Sequence, residues 1–483
     1  MEVHAELATA SKMFCACKNG LGLESEPNIH ICPVCTAQPG SLPVPNRKAI
    51  ESVQRVGLAL GCKLALESKF DRKNYFYPDI PKGYQISQYD QPFCGTGTIR
   101  VNGKDFGITR IHLEEDTGKS NHAKGEGATL IDFNRAGVPL MELVTEPDFE
   151  RAEDAKAFCQ KLQQILRYLK VSSADMERGQ MRCEVNLSLY EQGADRLSGT
   201  KVEVKNLNSF RVVERAIAYE IERQTKILDA GEKVIQETRG WDENKGVTVA
   251  QRKKESAHDY RYFPEPDIPP FEFTEEEIES LRRTLPELPD QKITRLQSEY
   301  SIPAADAELL AEDVLVVEFY EETVSELLAK IQSKEVALEP SKVAKLAANY
   351  ILTEIRKRLT ETGVSIKEVG FSPENYAELI GLVATGAINS SAAQKVLEEM
   401  YTGVDSDPSH IVERLGLAQV SDTRALEALV DTVLAANAQS VTDYQAGKEN
   451  ALKYLMGQVM SASKGSANPQ MVTEILKTKL IKN

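Results

Sequence analysis

The chain has no surplus of positive charge. Over 483 residues, 73 acids outweigh 58 lysines and arginines, for a net charge of -15. That excludes a protein that coats nucleic acid non-specifically and leaves room for a local basic patch that binds one RNA. No apolar run approaches membrane-spanning length, so no membrane segment is expected. The opening Met1-Glu-Val-His-Ala-Glu-Leu7 lacks signal or transit character. It reads as a strand already under way, which puts the expected natural start upstream. Eight cysteines, four of them clustered early, lack the dispersed spacing of a small secreted domain, so a reducing compartment is expected. A nucleotide loop is missing too. Gly118-Lys119-Ser120 would need a glycine at position 113, which is Leu113.

The chain's 41% hydrophobic and 27% charged residues describe ordinary globular protein. The expected boundaries are 1–288 for an α+β domain, an antiparallel-sheet cradle with helices on one face, then 289–404 for an all-α bundle and 405–483 for a small helical tail. Leu285-Pro-Glu-Leu-Pro-Asp290 and Tyr401–Pro408 supply the connections.

The stretch around which the chain is organised is Ile108–His122, a strand running into Glu114, Glu115 and Asp116 with His112 just before them. Adjacent carboxylates repel unless a cation or water spreads their charge. In Glu2-Val-His-Ala-Glu6 the period of two puts Glu2, His4 and Glu6 on one face and Val3, Ala5 and Leu7 on the other. Such a face suits either a hard divalent cation or plain solvent. Arg182–Leu189 and Lys201–Lys205 alternate in the same way, and a further strand carries Glu142. A helix is expected over 47–60, and helices over 152–171 and 210–230 are the natural cover for the apolar face.

Cys15-Ala-Cys17 and Cys32-Pro-Val-Cys35 can give four thiolates to one structural zinc, with His30 an alternative ligand. Phe70–Asp90 mixes Tyr and Phe with Arg72, Lys73 and Lys82, a composition that stacks bases and neutralises phosphate, or else packs as an aromatic hairpin on the core. Near the end, Lys448, Lys453 and Lys464 lie with Ser and Gly at a helix end, where they either hold RNA phosphates or form the wet face of an amphipathic helix.

The segments Glu2–Leu7, Phe70–Asp79, Tyr84–Gln88, His112–Asp116, Asn134–Pro139, Lys205–Phe210, Asp259–Pro264 and Gly457–Gly465 together resemble the B subunit of the tRNA-dependent amidotransferases, the GatB family, over essentially the whole chain. The resemblance implies a ligase subunit that uses ATP to phosphorylate the carboxylate of Glu or Asp esterified to tRNA, then amidates it with ammonia. It implies two partners, a glutamine-hydrolysing amidase (the A subunit) and a small C subunit, in a heterotrimer acting on aminoacyl-tRNA in bacterial cytoplasm or an organelle. It further implies magnesium on Glu2, His4, Glu115 and Glu142, with Lys82 and Glu115 at the mouth of the ammonia path. Two competing readings use the same residues: a stand-alone magnesium-dependent phosphohydrolase or nuclease, which would turn over without partners, and a zinc-containing RNA-binding module without catalysis.

Overall fold

The computed structural model describes residues 1–122, 128–253, 260–334, 338–419, 423–463 and 467–482. The chain divides into two compact units, Met1–Pro289 and Asp290–Asn483. The first is α+β and the second helical.

An eight-stranded sheet dominates the first unit. Its strands, numbered in chain order, are β1 (Glu2–Glu6), β2 (Gly97–Val101), β3 (Lys104–Glu115), β4 (Pro139–Thr145), β5 (Met181–Leu187), β6 (Val202–Leu207), β7 (Glu237–Asp242) and β8 (Val247–Lys253). The order across the sheet is β8-β7-β6-β5-β1-β4-β3-β2. Neighbours run antiparallel except β6 and β7, which are parallel. This differs from the all-antiparallel expectation. A parallel pair needs a long crossover, and the helix Phe210–Asp229 supplies it. Strands β7 and β8 were not anticipated either, because Glu237-Thr-Arg-Gly-Trp-Asp242 has no clean alternation.

The alternation in the other strands sorts the sheet into two faces. Val3, Ala5, Ile111, Leu113, Met141, Leu143, Cys183, Val202 and Val204 are buried on one side. Three helices pack there: α1 (Arg47–Ala59) on β3, α2 (Ala152–Tyr168) on β2, and α3 (Phe210–Asp229) on β5, β6 and β8. The Asn46 side chain caps α1 by accepting from the Lys48 and Ala49 N–H groups. Ser209 does the same for α3 through Val212. Each large aliphatic side chain between the layers contributes roughly 1.5–3 kcal/mol. A smaller sheet, made of Asp71–Asn74, Tyr84–Ser87 and Phe263–Pro264, is hydrogen-bonded separately and packs on β3 through Gln85, Ile86 and Ser87. Phe70 roots it in the core through edge contacts with Phe14, Phe93 and Phe271.

In the second unit the helix Pro340–Tyr350 passes through a π-turn at Ile351–Ile355 into Arg356–Thr362, which Gly363 ends in a left-handed conformation. Buried Tyr320 and Tyr376 donate to the carbonyls of Ala344 and Ala347. The helix Pro408–Leu415 packs on Pro373–Ala384 and Ser390–Met400. Leu426, Val430, Leu455, Val459 and Leu476 form a separate small core further on. No helix among the described residues is long and apolar enough to cross a membrane.

One buried charge ties α3 to the end of the large sheet. Glu220 has no exposed surface. It accepts from Arg223, from Gln224 at 3.0 Å and from Thr248 of β8 at 2.9 Å, with Arg239 of β7 3.7 Å away. Glu220→Ala takes from Arg223 its main acceptor and leaves it only Glu237 at 3.9 Å, while Arg239 keeps Glu237 and Thr248. The expected loss is about 3–5 kcal/mol in urea unfolding, whereas breaking the exposed Lys226–Glu222 pair should leave the midpoint nearly unchanged.

Candidate functional site

The polar face of the large sheet is assembled by register. His112 of β3, Glu142 of β4, His4 of β1 and Arg182 of β5 lie in one row across four strands. One step along, Arg110, Val144, Glu2 and Glu184 form a second row. The smaller sheet overhangs these rows. A cleft of about 680 Å³ results, lined by the polar residues of both rows and by Lys73, Tyr75, Tyr77, Tyr89, Tyr260 and Tyr262 among others. Tyr89 and Tyr262 stack at 4.4 Å. Within the aromatic-rich segment Phe70 packs in the core, while Tyr75, Tyr77 and Tyr89 line the cleft.

Within the cleft, one nitrogen of His4 and one oxygen each of Glu114 and Glu142 lie within 4.8 Å of one another. His4 Nε2 is 3.3 Å from Glu142 Oε2, and His112 Nε2 is 3.1 Å from the same atom. Burial disfavours charge on His112, but Glu142 and Glu114 outweigh it and push its pKa up to about 9. His4 is raised by the same competition. Burial also opposes ionisation of Glu142, yet the two imidazoles hold its carboxyl well below the usual range. Two ionised carboxylates and, once its proton is displaced, the His4 nitrogen make a donor set that fits a divalent cation.

Glu115 does not join this group. Along a strand successive side chains point to opposite faces. His112 and Glu114 therefore share the polar face, while Glu115 follows Ile111 and Leu113 to the other side. There it pairs with Lys82 at 2.6 Å and accepts from the Ile86 N–H at 3.0 Å. The structure puts Glu114 where the resemblance had put Glu115. Glu2 stands with Glu184 and Glu203 in a second acidic group and accepts from Asn186 at 3.1 Å.

The four sulfurs of Cys15, Cys17, Cys32 and Cys35 also lie within 4.8 Å of one another. Cys32 and Cys35 sulfurs are 3.9 Å apart, close to the edge of a tetrahedron with metal–sulfur bonds of about 2.3 Å. The cluster is formed by the four cysteines without His30, whose backbone N–H donates to the Asn134 side chain at 2.9 Å. The cluster can hold a metal ion, consistent with structural zinc. Sequence reasoning missed Lys12, which is fully buried with its Nζ 3.8 Å from Cys35 Sγ and 3.1 Å from the Phe133 carbonyl. A buried cation offsets part of the charge of four thiolates; no sequence signal marks it, since an isolated lysine is ordinarily exposed.

A cavity of about 240 Å³ runs from Phe14, Cys15 and Cys35 to Pro81, Lys82 and Glu115. Gly137 lies on its wall with φ of 84°. A Cβ there would sit 3.5 Å from Cys35, 3.7 Å from Lys12 and 4.0 Å from Glu115. The knuckle and the Lys82–Glu115 pair therefore share one peptide.

Elsewhere, Lys119–His122 is a short strand paired with Thr129–Asp132, and Ser120 donates to Asp79 at 3.1 Å. Lys448 and Lys453 are exposed, Lys448 pairing with Asp443 at 3.0 Å, and Lys464 lies outside the described residues, as does Asp259.

Two measurements check these assignments. Chelation or Cys32→Ser should release one zinc per chain by atomic absorption and lower the melting temperature; a chain purified without zinc counts against the zinc assignment. The second concerns Glu6, whose carboxyl is raised to about 8, chiefly by burial and then by Asp116 beside it. An acid with a raised folded pKa stabilises fully below its ordinary value of 4.5 and loses that contribution as pH climbs through about 8. Urea midpoints without magnesium should fall between pH 5 and 8.5, and Glu6→Gln should flatten much of that slope.

Fold and site together define an α+β protein built on an open acidic cradle, with a cysteine knuckle at its flank. The family follows from comparison. The model of the GatB/GatE catalytic domain matches residues 1–279, and that of the GatB domain matches 332–480. Curated relatives include the B subunit of the aspartyl/glutamyl-tRNA(Asn/Gln) amidotransferase of Thermoanaerobacter pseudethanolicus, 47% identical over 100% of this chain and 98% of its own. The same subunit from Moorella thermoacetica is 47% identical over 99% and 98%, and that from Chlorobium limicola 45% over 99% and 98%. The chain belongs to the GatB family.

Proposed function

We propose that the chain is the B subunit of a glutamine-dependent aminoacyl-tRNA amidotransferase. Its whole-length identity to proteins of that name supports the reading. The observation that carries the chemistry is the His4–Glu114–Glu142 group at the floor of an open, tyrosine-rimmed cleft.

A carboxylate resists attack by ammonia because its leaving group would be an oxide. Phosphorylation removes that obstacle. The side-chain carboxylate of Glu or Asp on tRNA attacks the terminal phosphorus of ATP, ADP leaves, and an acyl phosphate forms. Ammonia then displaces phosphate, giving the amide. Phosphoryl transfer asks the protein mainly for position and charge neutralisation, which an open charged cradle without a nucleotide loop can provide. When bound at His4, Glu114 and Glu142, magnesium would neutralise phosphate charge. Tyr89 and Tyr262 offer stacking faces for a base of the tRNA end or of ATP.

Lys82 and Glu115 stand on the far side of β3 from this group, at the inner end of the knuckle cavity. That position suits a mouth through which ammonia released by the amidase reaches the acyl phosphate. The knuckle is assigned zinc with a structural role. Residues 1–288 are read as the catalytic cradle, 289–404 as a helical domain and 405–483 as the tail contacting tRNA, through Lys448, Lys453 and Lys464. The glutamine amidase and the small third protein complete the heterotrimer. Reduced cysteines, bacterial relatives and a tRNA substrate favour the cytoplasm.

The two faces of β3 make separable predictions for a reconstituted heterotrimer. Glu142→Ala should abolish amidation whether ammonia comes from glutamine or from added ammonium salt. Lys82→Ala should lose at least roughly tenfold with glutamine but retain most activity with ammonium. A wild-type complex that forms no amidated aminoacyl-tRNA would overturn the functional reading, and a Lys82→Ala enzyme equally impaired with both ammonia sources would overturn the mouth assignment.

A further inference from the structure

The cleft is lined by five lysines and arginines, and they are not equivalent. Arg182 is committed to Asp116 at 2.8 Å and Lys205 to Glu184 at 2.7 Å, while Lys201 is exposed at the rim. Lys73 and Arg110 make no ion pair and no side-chain hydrogen bond among the described residues. Lys73 rests against the rings of Tyr75 and Tyr260, 5.8 and 5.3 Å from their centroids. Arg110 buries its Nε with no acceptor. The contrast with Arg72, one residue from Lys73, is direct: Arg72 is spent on a two-pronged pair with Glu265 at 2.8 Å.

Leaving donors of a guanidinium unpaired in a partly buried site is unfavourable, so such groups call for an explanation. Geometry supplies one. Arg110, His112 and Glu114 share the polar face of β3, with Arg110 about 7 Å along the strand from His112. Lys73 comes from the overhanging smaller sheet, on the opposite wall. Two donors with spare hydrogens thus stand beside a group of carboxylates and histidine suited to a cation. An anion bound between them would meet a cationic donor from each wall.

We propose that Lys73 and Arg110 bind the phosphoryl group that is transferred in the cleft. This rests on the functional reading above and names how the triphosphate is held. As the bond from phosphorus to the bridging oxygen of ADP breaks and the bond to the substrate carboxylate forms, three non-bridging oxygens keep their negative charge. The Lys73 ammonium and the Arg110 guanidinium donate to these oxygens from opposite walls. Arg110, with its planar fork, fixes the direction of the group, and Lys73 supplies a point charge.

The test uses the full chain and magnesium tripolyphosphate, followed by calorimetry. Wild type should bind; Lys73→Gln and Arg110→Gln should each weaken binding at least roughly tenfold, the loss of about one charge-assisted hydrogen bond. Lys73→Arg should stay within about threefold of wild type. In the reconstituted complex the Gln variants should raise KM for ATP by a similar factor, with KM for aminoacyl-tRNA and the glutaminase rate unchanged. Melting curves of both variants guard against misfolding, and either one that folds suffices. Wild type that fails to bind tripolyphosphate, Gln variants that bind like wild type, or an effect confined to KM for aminoacyl-tRNA would overturn the proposal. Tripolyphosphate bound through these side chains by a chain whose complex amidates nothing would sustain the phosphate site and sink the functional reading instead.

Discussion

The two-residue period of the strands is the constraint on which the site depends. β1 sits inside the sheet, flanked by β4 and β5, and its register aligns His4 with Glu142 on one side and Arg182 on the other. A slip of one residue in any of these strands would turn its charged side chains into the helix layer and its aliphatic ones into the cleft. Burial of the apolar face therefore fixes the polar face. The energy that specifies the site comes from side chains such as Val3, Leu113 and Leu143, which never touch the cleft.

The same period explains why neighbouring acids do different work. Glu114 and Glu115 differ by one residue and face different compartments, one the acidic group and the other a cavity walled by the knuckle. β3 is a partition between the two. Chemistry that needs a dry, charged centre and a separate supply of a small neutral molecule can be organised on the two sides of a single strand.

Much of this was legible in the sequence. Alternation at Glu2–Leu7 and Arg182–Leu189 gave the polar face, and the cysteine spacing gave the knuckle. The choice of Glu115 as ligand came from resemblance, although parity with His112 in the sequence already favoured Glu114. Other features were not legible. Lys12 looks like any surface lysine until the chain folds over it, and the idle state of Arg110 depends on which acids fall beyond its reach. The parallel pairing of β6 and β7 follows from the long crossover through α3, a tertiary fact.

Register also has a consequence for synthesis. β1 is translated well before either of its partners, since β4 begins at Pro139 and β5 ends at Leu187. At about 5–20 residues per second, that strand waits on the order of ten seconds or more with both edges unpaired. Its alternating Glu, His and Glu make it a poor template for pairing with other chains during that interval. The charges that later line the cleft thus act first as a guard on the nascent chain.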